Sequence, residues 1–181
     1  MRMLMQRDCD ANTADRFGRT PLMNVLIGGC QDDRILKEVL SVETLDIDKQ
    51  DNWGYTPLMF SAKDKTMNEY SKQLLERGAD VLIQDRHKNH AVLLAAMKKN
   101  WELTLELIKA GADTTLFNDD GESVMAFVKA EDDLKMTRAM EKAIKESPPA
   151  PRKRADYSYS ILLPDIEDVG SFRKPIDRSV P

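Results

Sequence analysis

The chain has 181 residues, 41% of them hydrophobic and 32% charged, with a formal net charge of −4. That balance excludes a chain disordered throughout, and mild acidity without a basic stripe argues against a nucleic-acid partner. No apolar run approaches the roughly 18 residues of a membrane helix, and Met1-Arg2-Met3-Leu4-Met5 turns polar too soon for a secretory leader, so an intracellular protein, cytoplasmic or nuclear, is expected.

Leu4, Met5, Arg7, Cys9, Asp10 and Asp15 recur 70 residues later as Leu74, Leu75, Arg77, Ala79, Asp80 and Asp85. The chain therefore opens inside the second helix of a partial unit, 1–14. Either a shortened helix caps the protein, or this is a piece of a longer one; the apolar pair Leu4-Met5, which needs something to pack on, favours the second. Cys9 falls in the small slot that Ala79 and Ala112 occupy later, so it reads as a free thiol, with neither a disulfide nor a metal expected. His87 and His90, the only histidines, lack carboxylates at ligand spacing.

The first complete unit, about 15–50, places Asp15 and Gly18 before Thr20-Pro21-Leu22. An Asp that bonds backbone amides two residues on, with a Gly free to take positive φ, makes a turn. Thr then serves as helix N-cap, and Pro sits at the first helical position, where a missing N–H is harmless. Gly28-Gly29 breaks this first helix. The second helix is expected from Arg34 to about Val42, with Ile35, Leu36, Val39 and Leu40 at helical spacing. Thr44 stands where later units hold a helix-ending glycine.

The second unit, about 51–84, is the most complete: Asp51-Asn52-Trp53-Gly54-Tyr55-Thr56-Pro57-Leu58, then Leu74-Leu75-Glu76-Arg77-Gly78-Ala79-Asp80. The third, about 85–117, keeps Ala95-Ala96 and Leu107-Ile108-Lys109-Ala110-Gly111-Ala112-Asp113 but opens with His90-Ala91-Val92. In the fourth, about 118–146, Asn118, Gly121 and Ser123-Val124-Met125 hold the landmark positions, and Met140-Glu141 replaces the apolar pair, marking a C-terminal cap. The starting residues Asp15, Asp51, Asp85 and Asn118 are spaced by 36, 34 and 33 residues.

This period and these landmarks resemble the ankyrin repeat. The resemblance implies an all-α solenoid of helix-turn-helix pairs with hairpin-like loops over residues 1–146. It also implies a non-catalytic scaffold, monomeric until partnered, that binds proteins on its concave face. The His that the family usually carries after Thr-Pro-Leu is replaced by Met23, Met59, Leu93 and Ala126, which implies a more apolar stack.

Carried over residue by residue, the binding face comprises loop-tip residues Arg16, Phe17 and Arg19, then Asn52, Trp53 and Tyr55, then Arg86, His87 and Asn89, then Asp119, Asp120 and Glu122. Lys63, Asp64, Met97 and Lys98 join them at the first helices. The aromatics Phe17, Trp53 and Tyr55 are the residue type that dominates interface energetics; the other reading is that Phe17 and Trp53 staple adjacent tips. Charge along the tips runs from basic to acidic, which would orient a partner or be ordinary surface charge.

From Ser147 the chain changes character: Pro148-Pro149-Ala150-Pro151 stops the helix, and Arg152-Lys153-Arg154 could belong to a nuclear import signal. Ile161, Leu162, Leu163, Asp165 and Ile166 form an apolar-acidic run, either a linear motif that adds a strand to a partner's sheet or a segment that folds back. No nucleophile elbow, phosphate loop or metal-binding motif occurs, so neither an enzyme nor a cofactor is expected. The alternative to a free-standing module is the regulatory part of a larger enzyme, channel or transcriptional regulator.

Overall fold

A computed structural model describes residues 10–28, 33–131 and 133–147. Four helix pairs follow in order: α1 (Pro21–Ile27) and α2 (Asp33–Leu40), α3 (Pro57–Ala62) and α4 (Asn68–Glu76), α5 (Ala91–Met97) and α6 (Trp101–Lys109), α7 (Val124–Ala130) and α8 (Leu134–Glu146). A 3-10 turn, Lys65–Met67, leads into α4. The architecture is all-α, with no strand among the described residues and one isolated bridge between Gln84 and His90. One pair lies in each of the spans 15–50, 51–84, 85–117 and 118–146. Residues 1–9 and 148–181, with Cys9, the basic triplet and the 161–166 run, lie outside the described residues, as does Cys30.

Among the described residues, four helices start on a side-chain cap, whereas His90 and Ser123 make no such bond at the starts of α5 and α7. Thr20 Oγ1 accepts from Met23 N at 3.4 Å and Thr56 Oγ1 from Met59 N at 3.3 Å, with Pro21 and Pro57 next in line. Asn100 and Asp133 cap α6 and α8 in the same way. α4 and α6 end on glycine. Gly78 (φ +84°) and Gly111 (φ +92°) let the amides of Ala79 and Ala112 reach back to Leu74 O and Leu107 O, both at 3.0 Å. Thr44 is not left-handed, and α2 stops at Leu40 rather than near Val42. Its last turn tightens instead, with Val42 N donating to Val39 O at 3.3 Å.

First helices stack on first helices, α1 on α3, α3 on α5 and α5 on α7, while α4 contacts α6 and α6 contacts α8. Leu22, Leu58, Val92 and Leu93 fill the seams of the inner row, and Leu74 and Leu107 lie beneath them. Met23, Met59 and Leu93 are fully buried where the resemblance expects His, so those seams are held by packing. Ala126 alone of that set is exposed. In the last pair Met140 is buried while Glu141 and Lys129 face water, the polar outer surface expected of a terminal unit.

Two glycines in left-handed conformation separate conformational from contact effects. A Cβ on Gly54 (φ +86°) would lie 2.9 Å from Asp85 Cα in the next tip, whereas one on Gly78 (φ +84°) meets nothing within 4 Å. Gly78→Ala is expected to lower stability by about 1 kcal/mol, the cost of placing Cβ in that conformation. Gly54→Ala adds a backbone displacement between repeats and is expected to lower the denaturant midpoint further. Equal midpoints for the two variants would show that the tips do not press on one another.

Candidate functional site

Four tips project from the stack, and one oxygen organises each of them. Asp15 Oδ1 accepts from Phe17 N (2.8 Å) and Arg19 N (2.9 Å), and Asp51 Oδ1 from Trp53 N (2.9 Å) and Tyr55 N (2.8 Å). Asp85 Oδ1 serves His87 N and Asn89 N, both at 2.8 Å, and Asn118 Oδ1 serves Asp120 N (3.1 Å) and Glu122 N (2.8 Å). The amides bonded are the same two in every repeat, and an amide oxygen does the work as well as a carboxylate. The Asp15 carboxyl is held below its usual pKa chiefly by the Arg19 amide.

Each tip then binds the next through main chain in a constant register. Asn52 N donates to Phe17 O (2.9 Å), Arg86 N to Trp53 O (3.0 Å) and Asp119 N to His87 O (3.0 Å). Side chains at equivalent tip positions are thereby set in rows along the stack. The third tip departs from the others: Lys88 replaces glycine and takes φ +61°.

At the first two tips the expected aromatics converge. The Phe17 and Trp53 rings lie 5.9 Å apart, and Arg19 lies 5.2 Å from Phe17, 5.3 Å from Trp53 and 5.8 Å from Phe60. Arg16 stacks over Phe17 at 4.6 Å. Tyr55 packs on Phe60 at 5.2 Å and carries Lys63 Nζ at 4.9 Å. Burial and the neighbouring Asp85 carboxylate push the Tyr55 hydroxyl up. Trp53 remains 42% exposed. Phe60 belongs to this cluster although the sequence reading omits it; its place three residues after Pro57 puts it beside the tip.

The other expected residues divide by surroundings. Arg86, His87, Asp120, Met97 and Lys98 are exposed. Asn52 is also exposed and donates to Arg16 O at 3.1 Å. Asp119 pairs with Lys88 at 2.6 Å. Asn89 and Glu122 turn inward, accepting from Asn118 Nδ2 at 3.0 Å each, and the Asp64 carboxylate caps the 3-10 turn by accepting from Thr66 N at 2.9 Å. Phe117, 60% exposed, precedes the fourth tip where Gln50 and Gln84 precede the second and third. Those glutamines use their amides within the stack: Gln50 Nε2 reaches Gln84 O at 3.1 Å.

His90 takes the N-cap position held elsewhere by Thr20, Thr56 and Ser123. It is fully buried, its Nε2 is 3.0 Å from Asp113 O, and Nδ1 has no hydrogen-bond partner. Among the described residues no group of three or more His, Cys, Asp or Glu is placed to hold a metal. No described helix is long and apolar enough to cross a membrane.

Burial holds the His90 pKa below its ordinary 6.5; the Asp113 and Lys88 carbonyls and the Asp113 and Asp85 charges pull upward without offsetting it. A depressed folded pKa means that the unfolded chain takes up the proton first. The contribution of the neutral ring is therefore complete above pH 6.5 and is lost as pH falls below it. The melting midpoint is expected to drop between pH 7.5 and 5.5, and His90→Thr to flatten that slope whatever its effect on the midpoint itself. An unchanged slope in the variant would place the titration elsewhere.

The sequence comparisons agree with this architecture. The profile of ankyrin repeats, described as three copies, matches residues 1–85. Human neurogenic locus notch homolog protein 2 is 32% identical over 110 residues, which is 61% of this chain and 4% of that protein, and its mouse counterpart matches equally. Neurogenic locus notch homolog protein 1 of Cricetulus griseus is 28% identical over 120 residues, 66% of this chain and 5% of that protein. The chain thus spans about a twentieth of the length of these relatives.

Proposed function

Because the chain belongs to the ankyrin-repeat family, whose folds generally serve as protein-interaction modules, we propose that it is a non-catalytic scaffold binding a protein partner across its row of loop tips. The observation that carries this reading is the aromatic cluster at tips one and two, where Trp53 stays open to solvent while its backbone is fixed on both sides. The surface comprises Arg16, Phe17, Arg19, Asn52, Trp53 and Tyr55, with Lys63 and Phe60 beside them. It continues along Arg86, His87 and Asp120 and over the exposed Met97 and Lys98. In this reading the repeat domain ends near residue 146, the 161–166 run is a separate linear motif, and the protein works inside the cell.

A second reading, the ankyrin segment of a larger regulatory protein, is favoured by the small share of the relatives' length that this chain matches. It changes the context of the surface and not its chemistry.

The test is a pair of substitutions read against a captured partner. Trp53→Ala is expected to weaken binding by about 2 kcal/mol, the usual size for an interface aromatic. Asp120→Lys, a charge at the rim, is expected to alter association rate and salt dependence more than dissociation. Intact affinity for Trp53→Ala together with a lowered melting midpoint would make the ring a staple between tips and move the interface elsewhere.

A further inference from the structure

The cations of this surface are held in two different ways. In the later repeats they meet carboxylates: Lys88 with Asp119 and Lys99 with Glu131, each at 2.6 Å. In the first two repeats Arg16, Arg19 and Lys63 lie instead on the faces of Phe17, Trp53, Phe60 and Tyr55. A ring face fixes a guanidinium through its flat side and leaves the N–H edge pointing outward.

The carboxylates adjacent in sequence to Arg16 and Lys63 are taken up locally, and Asp51 pairs with Arg19. Asp15 gives Oδ1 to two backbone amides and Oδ2 to Asn24 Nδ2 at 3.3 Å. Asp64 is taken up by Thr66. Asp51 gives Oδ1 to its own tip, and its Oδ2 lies 3.8 Å from Arg19 Nε, with neither atom hydrogen-bonded. Arg19 is thus a half-buried positioning cation, while Arg16 and Lys63 are exposed.

We infer that the first two repeats form an acid-binding clamp, receiving an acidic segment of a partner protein whose carboxylates meet Arg16 and Lys63 beside the open face of Trp53. The planar guanidinium edge of Arg16 suits the two oxygens of a carboxylate, Lys63 adds a point charge, and mounting each cation on a ring removes part of the ordering cost of binding. The fourth tip keeps only part of its negative charge, because Lys88 pairs with Asp119 and leaves Asp120 exposed. The clamp itself depends on the cations of the N-terminal half of the surface. The inference rests on the tip-surface reading above, and its test separates the two.

The probe is a random library of dodecapeptides displayed on phage and selected against the full chain. Expected are enriched peptides of net negative charge that depend on Trp53, weaken steeply from about 50 to about 500 mM salt, and bind at least about tenfold less tightly to Arg16→Glu/Lys63→Glu. Repeating the selection on that variant should enrich basic peptides. Arg16→Gln/Lys63→Gln, which removes charge without reversing it, guards against misfolding, and circular dichroism checks both variants. Peptides that need Trp53 but carry no net negative charge overturn the clamp and leave the tip surface standing. Peptides indifferent to Trp53, or no enrichment at all, overturn both.

Discussion

One oxygen atom per repeat, the Oδ1 of Asp15, Asp51, Asp85 or Asn118, constrains everything that follows it. By accepting two amides of its own tip it curls four residues into a fixed loop. The loop in turn aims a main-chain amide at the carbonyl of the preceding tip. That bond brings backbones so close that a Cβ on Gly18 would sit 2.8 Å from Asn52 N. Turn and stack are thus parts of one constraint: the residue that makes the turn also sets the distance between neighbours, and the glycine satisfies both requirements.

The stack solves its polar requirements locally. With Met23, Met59 and Leu93 in the seams, no imidazole is required there, and two buried serines pair with each other: Ser71 Oγ donates to Ser61 Oγ at 2.8 Å, and Ser61 Oγ to Leu58 O at 2.9 Å. Asn68 and Asn100 exchange amide contacts between α4 and α6 at 2.6 and 3.2 Å. His90 is one exception, beside the Arg19–Asp51 pair: a bulky ring at a cap position that leaves one nitrogen without a hydrogen-bond partner. A buried nitrogen without a partner costs stability in the neutral ring, and protonation adds the larger cost of a buried charge, which links this repeat to pH as the Thr-capped repeats are not.

The period, the caps and the helix-ending glycines were legible because each is a local demand. Asp51 bonds amides within four residues, Thr56 caps a helix three residues on, and Gly78 bends the chain where it stands. What was hidden depends on contacts between repeats. Phe60 reads as one more apolar helix residue until Tyr55 and Arg19 are brought against it. Arg19 looks like a free surface charge, yet three rings surround it. Lys88 gives no sign in sequence of adopting left-handed backbone, since lysine rarely does so. The early end of α2 has the same character: without a glycine, the stop is made by a tightened turn that no residue announces.

Packing of the tip aromatics against one another does not set a structural role against a binding one. A ring that must be ordered on binding loses conformational freedom at that moment, and the loss subtracts from affinity. Phe17, Trp53 and Arg19 are ordered beforehand by mutual contact and by the hydrogen bonds that fix their backbones, so a partner meets a surface already in place. The staple and the interface can then be one object, with Trp53 half withdrawn into the cluster and half offered to solvent. The two roles diverge only in what removal does: loss of the ring's inner face loosens the joint between repeats, and loss of its outer face removes the ground on which a partner rests.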